Sequence, residues 1–190
     1  VKDPLGIAGK RVDGKYALEE AIGEGGTAVV YRAKNVAWDM PVAMKIYVSL
    51  SDTPTDQRAA VVATLMEEGR IMSHLSTKSA AVTQPRDMGS FVTDDGRWLP
   101  FLALEWLEGE PLDVVLVSET ERGIPPRGLE DTARLLEPVA EALAIAHAEN
   151  VAHRDVKPEN MFVVGTPRTA DERLKLLDFG IAKTMHAKYG

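Results

Sequence analysis

His153-Arg154-Asp155-Val156-Lys157-Pro158-Glu159-Asn160 is the stretch that decides how the rest of the chain is read. It follows a long apolar-striped segment that ends near Asn150 and precedes a short hairpin that begins near Met161, so it is a loop held between rigid elements. Asp155 and Asn160 then bring a carboxylate and an amide near one another, with the Lys157 ammonium between them. Such a group suits orienting a hydroxyl, holding a metal ion and steadying a phosphoryl group. Eighteen residues beyond Asn160, the run Asp178-Phe179-Gly180 adds a second carboxylate after a strand, backed by an aromatic ring able to pack inward.

Upstream, the first half is strand-rich. Residues 15–22 read as a strand closed by Gly23, Gly25 and Gly26, residues 28–34 as a second, and residues 42–48, introduced by Pro41, as a third. The glycine-rich connection makes the first two an antiparallel hairpin with the third as neighbour. After a polar loop at 51–57 the period changes to 3.6, with Val61, Leu65, Glu68, Met72 and Leu75 at helical spacing. Residues 90–93 and 98–106 read as strands about the turn Asp94-Asp95-Gly96.

Downstream, residues 129–150 predict one long helix with the apolar stripe Leu135, Leu136, Val139, Ala142, Leu143 and Ala146. Pro138 stands inside it, where an interior proline costs ~3 kcal/mol or kinks the helix. Residues 161–164 and 174–177 predict a small hairpin across the polar loop 165–173. Strands segregate from helices along the chain, an α+β pattern in two lobes.

Three further features bear on chemistry. Gly23-Glu24-Gly25-Gly26 admits backbone amides close to phosphate oxygens, since no Cβ intervenes, although a tight hairpin turn accounts for it as well. It is not a Walker A loop: no Gly-Lys-Ser/Thr follows, and a strand comes next. In Val42-Ala43-Met44-Lys45 a lysine sits among apolar residues at a strand centre, and needs an anion if its head is buried. Glu68, on the helix face of Ile71, Met72 and Leu75, could supply that anion; an exposed helix carboxylate like Glu67 is the plainer alternative.

The bulk composition bounds the rest. With 190 residues, 45% of them apolar and 27% charged, the chain is long enough for one large domain or two small lobes with a substantial core. A net charge of −7 argues against a nucleic-acid binder. There is no cysteine, so disulfides and thiolate metal sites are excluded. No apolar run reaches membrane-spanning length, and no signal peptide shows at the start.

The glycine loop, Val-Ala-Met-Lys, a helix glutamate, His-Arg-Asp-Val-Lys-Pro-Glu-Asn and Asp-Phe-Gly occur in one order from about Tyr16 onward. That set resembles the eukaryotic-type (Hanks-type) protein kinases, and its wording is similar to bacterial serine/threonine kinases. The resemblance implies a bilobal kinase fold. Residues 1–104 would form an N-lobe of antiparallel sheet plus one helix, 105–107 a hinge, and 108–190 a partial helical C-lobe ending within the activation loop. It implies ATP and Mg²⁺ (or Mn²⁺) as cofactors and a protein serine or threonine as acceptor. Ile22, Gly23, Gly25, Gly26 and Val30 would cover the nucleotide, Ala43 and Phe162 sandwich the adenine, and Lys45 hold phosphates while paired with Glu68. Leu104 would be the gatekeeper, and Glu105 to Leu107 would offer backbone hydrogen bonds to adenine. Asp155 would act as base, Lys157 contact the transferred phosphate, and Asn160 and Asp178 bind the metal. His153, Phe179 and Met72 would stack in an internal spine, and Arg154 would answer an activation-loop phosphate.

The same resemblance sets the rival readings: a pseudokinase or ATP-binding scaffold, and a small-molecule kinase of related fold. Ala28 stands where the family's loop has a third glycine, and the 160–178 hairpin is longer than usual, expected to be a surface extension. The chain starts on Val1 and stops at Gly190, so it is expected to be a fragment, inactive and poorly soluble alone. Its expected location is the cytoplasm, with any membrane tether supplied from outside these residues.

Overall fold

Short β-branched and aromatic segments pair along the first hundred residues because each presents one apolar face at a period of two. The computed structural model describes residues 2–179. Gly180 of the Asp-Phe-Gly run, and 181–190, where the resemblance expects activation loop, lie outside the described residues.

By backbone proximity the chain divides into two units. The first takes the described residues up to Ile71 together with Gln84–Trp106; the second takes Met72–Thr83 and residues 107–179. In the first, six strands form one antiparallel sheet in the order β1-β2-β3-β4-β6-β5. They are β1 (Arg11–Val12), β2 (Tyr16–Glu24), β3 (Val29–Asn35), β4 (Met40–Ile46), β5 (Pro85–Val92) and β6 (Trp98–Glu105). The expected hairpin and its third neighbour are β2, β3 and β4. The strand expected at 90–93 begins earlier, at Pro85, and meets β6 across a turn in which Gly96 takes φ 85°. β6 is buried along nearly its whole length, as a strand covered on both faces must be. The core of this unit gathers Ile7, Val12, Leu18, Val29, Tyr31, Met44, Ile46, Leu99 and Phe101 on one face of the sheet.

Helix α1 (Thr55–Lys78) buries Val61, Leu65, Met72 and Leu75, the positions its period marks. Gly69 is buried among them, and a Cβ there would stand 2.2 Å from Met88 Cε on β5. Glycine therefore lets the helix lie closer to the strand than a larger residue would without displacing Met88.

In the second unit, α2 (Leu112–Glu121) and α3 (Leu129–Ala148) accompany a three-stranded sheet of β7 (Gly109–Pro111), β8 (Met161–Val164) and β9 (Arg173–Leu176). A Cβ on Gly109 would fall 1.9 Å from the Val163 carbonyl oxygen, so only glycine allows β7 to pair there. α3 runs unbroken through Pro138, which removes the hydrogen bond to the Arg134 carbonyl. Val139, Ala142 and Ala146 are fully buried, whereas Leu135, Leu136 and Leu143 are only half-buried.

The end of α3 aims the next segment. Asn150 takes the left-handed φ of 61°, and the Val151 amide donates to the Ala146 carbonyl at 2.9 Å. That 6→1 closure stops the helix and turns the chain into the loop that carries His153.

Candidate active site

In the first unit, strand register collects the residues expected to meet a nucleotide on one face of the sheet. Gly23 lies opposite Val30, Val30 opposite Lys45, and Lys45 opposite Leu102, a row across β2, β3, β4 and β6. Ala43 lies opposite Leu104 two positions along, hence on the same face. The core residues Val29, Tyr31, Met44, Ile46 and Phe101 occupy the other face. A register shift between Ala21 and Gly23 leaves Ile22 as the extra residue of a bulge, 41% exposed.

Lys45 is 9% exposed, between the fully buried Met44 and Ile46, with its ammonium 5.6 Å from the centre of the Tyr47 ring. A cation enclosed to that degree needs negative charge at hand. The two adjacent glutamates of α1 divide: Glu67 is exposed and paired with Arg70 at 2.9 Å, while Glu68 is half-buried with its Oε2 out of contact with water.

The glycine loop closes through the Gly25 amide, which donates to the Ala28 carbonyl at 2.9 Å. Gly23, Gly25 and Gly26 all have negative φ, and a Cβ on any of them would meet nothing nearer than 3.8 Å. Neither backbone conformation nor internal packing explains three glycines in four positions. A Cβ there would instead fill space through which an anion reaches the amides, so these residues fit a phosphate-bearing ligand.

At the end of β6, Leu104 is buried. The Glu105 amide donates to the Gln84 carbonyl at 2.9 Å, and Glu105 Oε1 accepts from the Gln84 amide at 2.9 Å. Leu107, half-buried, begins the second unit.

The second unit gathers the loop residues. Asn160 Nδ2 donates to the Asp155 main-chain oxygen at 2.8 Å and to Asp155 Oδ2 at 3.0 Å. Both partners are acceptors, which fixes the amide orientation and turns Asn160 Oδ1 away from them. Lys157 Nζ lies 3.7 Å from the same Oδ2. The Asp155 amide donates to His153 Nδ1 at 3.3 Å, so Nε2 carries the ring proton and donates to the Leu177 carbonyl at 2.8 Å. The Leu177 amide in turn donates to the Asn160 carbonyl at 2.8 Å. The backbone just before Asp178 is thereby stitched to the loop at both its donor and its acceptor.

His153 is buried, and its ring centre lies 4.8 Å from that of Phe179. Met72 is buried in the same unit. Phe162 is half-buried on β8, opposite Pro111 and Lys175. Arg154 and Asp178 both adopt left-handed φ, 65° and 50°. Each such non-glycine residue costs ~1–3 kcal/mol, a strain that concentrates at functional sites.

No motif or spacing marks one further charged cluster of the second unit. Glu119 on α2 receives two hydrogen bonds from Arg168, at 2.8 and 2.9 Å, and one from Arg127 at 3.0 Å. Arg127 also grips Glu172 through two bonds of 2.7 Å. Arg168 and then Arg127 hold the Glu119 carboxyl below its usual range.

Known proteins point to the same class. The protein kinase domain family matches residues 16–189, and the chain belongs to that family. Serine/threonine-protein kinase PknL of Mycobacterium tuberculosis is 34% identical over 187 residues, 98% of this chain and 41% of that protein. Serine/threonine-protein kinase pkn3 of Myxococcus xanthus is 34% identical over 177 residues, 92% of this chain and 29% of that protein. The chain therefore spans less than half the length of these relatives. A solved structure described as the PpkA-294 apo form superposes with a TM-score of 0.69 at 23% identity, over 95% of this chain and 64% of that one, which is agreement of fold. No helix among the described residues is long and apolar enough to cross a membrane.

Proposed function

We propose that these residues belong to the catalytic domain of an ATP-dependent protein kinase that transfers the γ-phosphoryl group to a serine or threonine hydroxyl of a protein. The observation that carries this reading is the Asp155–Asn160–Lys157 cluster, in which one amide locks the carboxylate and fixes its own free oxygen.

In this reading Asp155 accepts a hydrogen bond from the acceptor hydroxyl and takes its proton as the oxygen bonds to the γ-phosphorus, whose bond to the bridging oxygen breaks to release ADP. Asn160 holds that carboxylate in place through Nδ2, and its Oδ1 is the atom that serves a cation. Lys157 and Lys45 neutralise phosphate oxygens, Lys45 from within the sheet and Lys157 beside the base. Asp178, on a strained backbone anchored through Leu177, is the second metal ligand. Mg²⁺ (or Mn²⁺), held by Asn160 and Asp178, would supply positive charge to offset that of the phosphate oxygens. Gly23, Gly25 and Gly26 offer amides to phosphates, while Ile22, Val30, Ala43, Leu104, Leu107 and Phe162 enclose the base. Glu68 positions Lys45. Serine and threonine are favoured as acceptors by Lys157, two residues after Asp155, and by the names of the relatives. The reading assigns the domain to the cytoplasm, where ATP is supplied, with any membrane tether outside these residues.

Titrating the full-length protein with a fluorescent ATP analogue tests the nucleotide half. Lys45→Met combined with Asp178→Asn should abolish saturable binding. Radiolabelled transfer to a general protein substrate, followed by phosphoamino-acid analysis, should give phosphoserine or phosphothreonine. Binding indifferent to both substitutions, or label on tyrosine alone, overturns the reading.

A further inference from the structure

The long loop between β8 and β9 is more than a surface extension. With the N-terminal half of α3 it encloses a cavity of about 520 Å³ whose wall carries four arginines, Arg127, Arg134, Arg168 and Arg173, and only two carboxylates, Asp131 and Glu172. Beyond the wall, Glu119 also pairs with Arg127 and Arg168, and Glu130 with Arg134, which leaves Arg173 as the wall's arginine without an ion pair among the described residues. The cavity lies wholly within the second unit, and none of its lining residues belongs to the nucleotide or acceptor machinery described above.

Two of its arginines have unused capacity. Arg127 is nine-tenths buried, and its Nε–H has no acceptor although its two terminal nitrogens are engaged. Arg173 has no carboxylate within ion-pair distance among the described residues; it donates only to the carbonyls of Ala170 and Glu172, each at 2.7 Å. A guanidinium with uncommitted N–H groups, as on Arg173, can take an oxyanion in addition to its present partners. The wall is also held in place. Arg168 adopts φ 63° and is fixed by Glu119 and by the Pro125 carbonyl at 2.8 Å. A Cβ on Gly165, at φ 85°, would lie 2.6 Å from the Asp171 carbonyl oxygen, so the loop closes tightly on itself.

We propose that this cavity binds a small phosphorylated metabolite through its phosphate monoester. Guanidinium groups match the oxygens of a phosphate in paired hydrogen bonds. The volume suits a small organic molecule rather than an extended chain. The proposal goes beyond phosphoryl transfer and does not depend on it.

The probes are inorganic phosphate, phosphoethanolamine and a phosphothreonine peptide, each titrated into the full-length protein by calorimetry. Arg173→Ala and Arg134→Ala are the test variants, because both side chains are exposed and lie outside the buried Glu119–Arg127–Glu172 links; their melting temperatures report that folding is intact. Saturable binding of phosphate and phosphoethanolamine is expected, weakened by about tenfold in each variant, the loss of one charge-assisted hydrogen bond. Lys45→Met should leave it unchanged. No saturable binding, or binding lost with Lys45→Met but kept in both arginine variants, overturns the proposal. A peptide that binds more tightly than either small phosphate overturns the metabolite assignment.

Discussion

Gly25 has room for a side chain and carries none. Its φ is ordinary and a Cβ would meet nothing closer than the Ala28 carbonyl oxygen at 3.8 Å, so folding makes no demand for glycine. The demand must come from what approaches the loop. Gly25→Val should therefore leave the melting temperature within ~2 °C of the parent, a change of under 1 kcal/mol, while ATP affinity falls roughly tenfold. A protein that melts several degrees lower with ATP affinity intact would place the glycine's role in folding. Asp155→Asn separates the steps differently. Asparagine can still accept from Asn160 Nδ2, so the loop keeps its geometry and nucleotide affinity is expected to hold. Turnover should drop by roughly 10²–10⁴, the range for removing a general base. At this scale much was legible, because Lys45, Asp155, Asn160 and Asp178 each sit in a motif with fixed spacing. Spacing is blind to orientation, however: the Asn160 amide direction and the His153 tautomer emerge only from partners brought in by the fold, Asp155 and Leu177.

At the scale of elements, strands and helices with a clean period were readable, and those fixed by tertiary contact were not. α2 contains Val114, Val115 and Val117, β-branched residues with reduced helix propensity, and its polar end is held by Glu119 reaching Arg127 just beyond the helix and Arg168 far along the chain. β7 has three residues, two of them glycine and proline, and exists because Gly109 can approach Val163. The loop 165–173 reads as polar surface, yet Glu172 and Arg127 are both nine-tenths buried in their ion pair. Glu119→Gln should destabilise the fold by roughly 3 kcal/mol, since removing one member of a buried ion pair strands the charges of the others. The effect carries a pH signature. Arg168 and Arg127 lower the folded-state pKa of Glu119 from its ordinary 4.5, so its contribution is fully present above that value and is lost as the pH falls through the lower folded-state value. Melts from neutral pH down to below pH 4 should show the parent losing part of its advantage over Glu119→Gln at the acid end. Parallel curves would mean that the carboxylate contributes nothing to stability.

For the molecule as a whole, the family's boundary and the physical boundary of the first unit differ. The family match begins at residue 16, but the core of that unit includes Ile7 and Val12, 2% and 1% exposed. A strap of residues holds them there. Asp3 accepts from the Gly6 and Ala8 amides and from the hydroxyl of the buried Tyr31. The Gly9 amide donates to the Leu18 carbonyl at 2.8 Å, and the Leu18 amide to the Lys10 carbonyl at 2.9 Å. Arg11 and Val12 then add β1 to the sheet beside Ala17 and Tyr16. Burial, and next the Asp3 carboxylate, push the Tyr31 hydroxyl well above its usual pKa, so it stays a neutral donor to Asp3. None of this was readable in advance, because residues 2–12 carry neither a helical nor a strand period. Deleting residues 1–9 should uncover Tyr31 and Leu18 and forfeit the burial of Ile7, worth ~1.5–3 kcal/mol by itself. Ile7→Ala is the milder variant, with an expected loss of ~2–4 kcal/mol including the cavity left behind. At ~2–4 °C per kcal/mol for a chain of this size, either change should lower the melting temperature of the full-length protein by at least several degrees. Hydrogen exchange at the Leu18 amide should accelerate in the deletion variant, whose acceptor on Lys10 has lost its anchor. An unchanged melt together with unchanged protection at Leu18 would show that the unit begins at Tyr16 and that the strap merely rests on it.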